Sequence, residues 1–212
     1  MTPKKLFPLA IIFLSFLSAL CFYPTSPAVM VTHWGLYGQA DGYTGKFFVL
    51  FFMPILSVFL YLILRFLPKT DPYHSHFKEF EKYYDTFINI LFIFLFYIYF
   101  LSLIWNLVAE FNIVQFLSPA FALLIYYAGI LCSVAKRNWF VGIRTPWTMS
   151  SDTVWKKTHQ FGAFLFKFTA ILSLLGIIWP SVAIYFIIFP ILFSAFAVFV
   201  YSYLAFRQEQ NP

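Results

Sequence analysis

Long apolar runs separated by short polar segments set the pattern of the chain. Leu6 to Tyr23 is a predominantly apolar run of 18 residues, just long enough to cross a bilayer. Phe47 to Leu67 predicts a second span, kinked at Pro54. Further spans are predicted at about Asp85–Leu107, Phe116–Ala135, Gln160–Trp179 and Val182–Phe206, with Pro180-Ser181 as a tight turn between the last two. A basic start followed by an apolar run also fits a cleaved signal peptide. The first run is long for one, and no Ala-x-Ala site follows, so it is read as a retained helix.

The expected fold class is therefore all-α, a polytopic integral membrane protein with about six transmembrane helices. Residues 1–67 form an N-terminal two-helix unit with a Gly-rich connection. Residues 68–84 form a polar linker, and residues 85–212 a four-helix unit.

Composition strengthens this picture. The chain is 62% hydrophobic, 24% aromatic and only 10% charged, with a mean hydropathy of +0.81. A soluble domain is about half apolar and about a quarter charged. One aqueous core cannot hide so much apolar surface, so the bilayer is the solvent and the expected location is the cell membrane. Cys21 and Cys132 both lie in apolar runs and read as small buried hydrophobes, not as a disulfide.

Charge orients the spans. Lys4, Lys5, Arg65, Lys69, Lys78, Lys82, Lys136, Arg137, Arg144, Lys156, Lys157 and Arg207 fall at one face of a six-span arrangement, and Lys46 alone at the other. Positive residues favour the cytoplasmic side, so both termini are expected there. The net charge of +6 then faces anionic membrane lipid and gives no reason to expect direct nucleic-acid binding. Lys167 stands apart inside the fifth span and is expected to snorkel to the near interface. Asn89 and Asn106 are the other polar residues noted within spans.

Candidate chemistry lies in three polar connections. The first holds His33, Gly38 and Asp41 in a Gly-bent segment. A His and a carboxylate eight residues apart could meet, but two ligands do not make a metal site. The plainer reading is a folded cap with a turn at Asp41-Gly42 and His33 bonded to the loop. The second holds His74 and His76, which at i, i+2 share no helix face and read as solvated linker.

The third connection, Lys136 to Gly162, is the richest. It carries five of the fourteen Lys and Arg residues and three of the six Trp. Gly142 permits positive φ, and Pro146 pushes Thr145 to extended geometry. Ser150 or Ser151 is placed to cap the next helix, with Asp152 in its first turn. Trp155, His159 and Gly162 then share one helix face. Arg144 reads equally as an anion-binding residue or as a tie to helix-end carbonyls. No P-loop, dinucleotide fingerprint, metalloprotease His-Glu-x-x-His or nucleophile elbow is present. No catalytic set, metal or cofactor is expected.

The pattern Asn138-x-x-x-Gly142-x-Arg144-x-Pro146-Trp147-Thr148, then Ser150/Ser151, Trp155, Lys157-Thr158-His159 and Gly162, resembles the signature of the SdpI family of bacterial membrane proteins. His33-Trp34-Gly35, Gly38, Asp41-Gly42 and Lys46, followed by a span with Pro54, resemble the small domain of unknown function that often precedes it. The two resemblances cover about residues 115–200 and 10–65. They imply a non-enzymatic immunity and signalling protein, protecting against a membrane-active peptide toxin and holding an ArsR-type repressor at the membrane. They place Asn138, Gly142, Arg144, Pro146, Trp147, Trp155 and His159 in the signature without giving them a chemical role. The competing expectation is a membrane enzyme or transporter using His33 and Asp41, or Arg144 and His159.

Overall fold

The computed structural model describes residues 3–211. In chain order the elements are α1 (Pro3–Phe22), β1 (Val29–Trp34), β2 (Ala40–Gly45), α2 (Lys46–Phe66), α3 (His74–Leu107), α4 (Ile113–Val134), α5 (Pro146–Ser150), α6 (Asp152–Ser173), α7 (Leu175–Ile178) and α8 (Tyr185–Gln210). Short 3-10 turns follow α2 and α7. Among the described residues, six helical stretches are long and apolar enough to cross a membrane. The chain is an α-helical, multi-pass membrane protein.

The spacing of side chains explains where the helices run beyond the apolar spans. α3 has 34 residues, or about 51 Å at 1.5 Å per residue. That exceeds a hydrocarbon core of about 30 Å, so its first turns project past the core. Residues 74–84, expected as linker, are these turns. Phe77, Phe80 and Tyr84 recur at i, i+3 and i+7 and are buried, while Lys78, Glu79 and Lys82 stay exposed. This is an amphipathic stripe that the drop in hydropathy conceals. α6 likewise starts at Asp152, not Gln160. Lys167 is thereby 15 residues into its helix, about 22 Å from its start. Its Nζ lies 6.0 Å from the centre of the Tyr126 ring.

α3 holds the bundle together. It packs on α1 and α2 on one side and on α4 on the other, and α6 packs between α4 and α8. One core cluster joins Ile12, Tyr61, Phe80, Ile88, Phe92, Leu131 and Trp155, from five helices. A second gathers Ala19, Met30, Leu50, Tyr99 and Leu103 at the opposite end.

Contacts define two faces. Lys5 bonds Glu81, Asp71 bonds Trp139, Ser151 bonds Glu209 and Thr145 bonds Ser202. These pairs put the starts of α1, α3 and α6 and the ends of α2, α4 and α8 at one face. The twelve basic residues named above lie on these segments and the loops that join them, and the start of α1 and the end of α8 share this basic face. β1 and β2 form an antiparallel hairpin at the other face. The Gly-rich connection is therefore a β-ribbon added to a helical protein. Its turn is at Gly35–Gln39, where Gly38 has φ of 82°. Asp41 and Gly42 lie within β2, not in a turn.

Candidate functional site

The loop between α4 and α6 is built around Asn138, which is fully buried. Its Nδ2 donates to Lys136 O at 2.8 Å and Val141 O at 2.9 Å. Its Oδ1 accepts from Phe140 N at 2.9 Å and Val141 N at 2.7 Å. Both donors and both acceptor positions of the amide are used, so one side chain folds the turn from inside. Asp71, also buried, clamps this loop to the 67–73 connection. Its Oδ1 accepts from Tyr73 N at 2.7 Å and its Oδ2 from Trp139 N at 3.0 Å. His76 adds a second clamp, donating from Nδ1 to Arg137 O at 2.9 Å. His74 donates from Nδ1 to Pro68 O at 3.0 Å. The two His residues diverge, as i, i+2 spacing requires.

The second half of the loop rests on α6. Trp155 donates from Nε1 to Ala135 O at 2.7 Å, taking up a carbonyl at the end of α4. Its ring stacks on His159 with centres 3.9 Å apart. His159 donates from Nδ1 to Trp155 O at 2.8 Å, and its Nε2 accepts from Ile143 N at 2.9 Å. Both ring nitrogens are engaged, which fixes the neutral Nδ1–H tautomer. Gly142 has φ of 114°, and a Cβ there would collide with His159 Nε2. Glycine is required twice over at this position.

Thr145 is extended, at φ −101° and ψ 162°, and with Thr148 it forms a capping box that starts α5 at Pro146. Thr145 Oγ1 donates to Ser202 Oγ at 3.1 Å, tying the loop to α8. Trp147 packs against Phe199 and Tyr203 of α8, at 5.3 and 5.1 Å between ring centres. Ser151 caps α6 by accepting from Val154 N at 3.2 Å.

Arg144 is exposed and donates from Nη1 to Trp139 O within its own loop. Arg144 is exposed and His159 buried, and no hydrogen bond joins the two. The basic face instead shows a cavity of about 370 Å³ lined by His76, Glu79, Lys136, Arg137, Asp152, Trp155, Lys156 and His159, among others. Lys136 pairs with Glu79 at 3.5 Å, and Arg137 Nε lies 2.9 Å from Asp152 Oδ1. Arg137 also donates from Nη1 to Met149 O at 3.0 Å. Three cations against two carboxylates leave this cavity weakly positive.

At the hairpin face, His33 Nδ1 is 2.5 Å from Asp41 Oδ1. Gly42 faces His33 across the ladder, and a Cβ on it would lie 2.8 Å from His33 Cβ. The pair is solvent-facing, with side-chain exposures of 73% and 47%. Among the described residues, no group of three or more His, Cys, Asp and Glu is placed to hold a metal ion.

Two asparagines fasten the hairpin. Asn106 accepts from Val31 N at 2.7 Å and donates to Val31 O at 3.1 Å, so α3 offers β1 an amide that mimics a neighbouring strand. Asn112 caps α4 through Gln115 N at 3.2 Å and donates to Tyr37 O and Pro180 O, both at 3.2 Å. Gly38 packs directly on the Asn112 amide, where any Cβ would clash. Asn112 was not among the expected residues. Its signal was the Asn-x-x-Gln spacing before an apolar run, a helix-start signature. Asp71 had a weaker one, an Asp-Pro pair in a turn, and nothing local marks its second bond.

The fold and this loop define a polytopic membrane protein with a four-helix unit behind a two-helix N-terminal module. Residues 134–202 match the SdpI/YfhL protein family, and residues 10–58 match a domain of unknown function, DUF1648. The resemblance read from the 138–162 signature is thereby borne out. The chain is 24% identical over 160 residues to the immunity protein SdpI of Bacillus subtilis (strain 168), covering 76% of this chain and 74% of that protein. No solved structure matches the chain.

Proposed function

We propose that this protein is an immunity protein of the bacterial cell membrane, protecting against a membrane-active peptide toxin. The observation that carries the reading is the similarity to an immunity protein over 160 residues, with the SdpI/YfhL family match at residues 134–202 beside it. The hairpin face lies outside and meets the toxin. The basic face, with both termini, is cytoplasmic, as the charge asymmetry favours. There the loop 135–151 and the start of α6 hold a soluble ArsR-type repressor. Lys156 and Lys157 are exposed beside the loop and supply the attraction for it. The protein works by binding, without a catalytic step.

Expression in a toxin-sensitive bacterium tests the first part. Survival in the presence of the peptide is expected, and unchanged sensitivity across candidate toxins overturns the reading. The signalling part is tested separately. Lys156→Gln with Lys157→Gln is expected to release the repressor from sedimented membranes while resistance persists. Retention of the repressor by that variant removes the basic face as its docking surface.

A further inference from the structure

The basic face has a second cavity, of about 880 Å³, between the start of α1, the end of α2 and the start of α3. Its polar wall holds Lys5, Arg65, Lys69, Lys78, Glu81 and Asp85, four cations against two carboxylates. Both carboxylates are engaged. Glu81 accepts from Lys5 Nζ at 2.7 Å, and Asp85 accepts from Arg65 Nη1. Lys69, Lys78 and the remaining edge of the Arg65 guanidinium are left over. Arg65 Nε and Nη2 are buried without a hydrogen-bond partner. Buried donors lacking acceptors are costly, and a guanidinium edge matches the spacing of two phosphate oxygens.

A smaller cavity of about 310 Å³ adjoins this one, and Leu64 and Tyr84 line both. Its wall is mainly apolar, with Phe87, Leu131, Val141 and Phe166 among its residues. A cationic cleft at the end of the spans thus sits beside an apolar slot between them. We infer that the two together bind one anionic phospholipid, its phosphate on Arg65, Lys69 and Lys78 and an acyl chain in the slot. A zwitterionic lipid would bring its own cation into a cleft that already has a positive surplus, so the site selects for net negative charge. The slot is walled in part by Phe140–Ile143, so bound lipid touches the loop that Asn138 folds.

The test uses the full chain, delipidated in neutral detergent and titrated with phosphatidylglycerol, phosphatidylcholine or glycerol 3-phosphate, with retention read by native mass spectrometry. Phosphatidylglycerol is expected to be retained and phosphatidylcholine lost. Lys69→Gln with Lys78→Gln leaves the Arg65–Asp85 pair in place and is expected to weaken phosphatidylglycerol about fivefold for each lysine removed. Ala128→Leu, which fills the slot, is expected to weaken the lipid further without touching a charge. Equal retention of the two lipids overturns the inference. So does an undiminished affinity in the lysine variant. Glycerol 3-phosphate binding as tightly as the lipid, with Ala128→Leu silent, assigns the cleft to a soluble phosphate instead.

Discussion

His159 Nε2 accepts the Ile143 N–H at 2.9 Å, and this bond fixes the second half of the loop ahead of α6. The imidazole can accept there because its other nitrogen is committed to Trp155 O at 2.8 Å. Trp155 in turn holds Ala135 O at 2.7 Å. A chain of three bonds therefore runs from the end of α4, through two stacked rings, to the backbone that Gly142 bends.

Gly142→Ala breaks this chain at its tightest point. The new Cβ meets the imidazole, and a non-glycine residue at φ of 114° is strained. Strain of this kind costs about 1–3 kcal/mol before any loss of the His159 bond. Thermal unfolding in detergent should show the loss. Gly45→Ala is the control, since a Cβ there meets nothing within 4 Å and its φ is −64°, so its cost should stay at the N-cap preference for Gly over Ala, about 1 kcal/mol or less. Equal behaviour of the two variants would remove the steric account.

Asn106→Leu should loosen the hairpin while leaving the helices intact. The substitution orphans both the N–H and the C=O of Val31, at a cost of about 1–3 kcal/mol. Faster hydrogen exchange and proteolysis across residues 29–45 are the expected signs. Asn89→Leu, on the same helix, is predicted to be neutral or stabilising. Asn89 Oδ1 is buried with no partner, so removing it relieves a cost. If Asn106→Leu leaves exchange in the hairpin unchanged, the hairpin is held by packing of Trp34 on Trp105 instead.

These contrasts show what can be read along the chain and what cannot. The six spans were legible because lipid demands long apolar stretches, and the faces were legible because Lys and Arg gather on one of them. Ser151 and Gly142 were legible from local rules of capping and backbone freedom. Asn106, Asn112 and Asp71 act through bonds 68 to 75 residues away, and no local pattern carries a distant partner. The start of α3 was missed for a different reason. Hydropathy averages over all faces of a helix, so a one-sided stripe of Phe77, Phe80 and Tyr84 disappears among charges.

Arg65 and Asp85 supply the sharpest test, because they join α2 to α3 where the spans meet the basic face. Their side chains are only 18% and 9% exposed. Water and salt screen such a pair little, and removing one partner strands the other. Arg65→Met or Asp85→Leu alone should cost about 3–5 kcal/mol. The double variant should recover most of that loss, since apolar replacements of similar volume are often neutral for stability. The pair would then be dispensable for folding, and a reason to keep it would have to lie in what Arg65 still offers. Two of its nitrogens are buried without a partner, and the residue lines a positive cleft. The double variant should therefore be stable, as measured by thermal unfolding, and still prefer phosphatidylglycerol, since the cleft keeps three cations against one carboxylate, yet bind it more weakly for want of the guanidinium edge. A stable double variant that keeps full phosphatidylglycerol affinity would place the recognition on Lys69 and Lys78 alone.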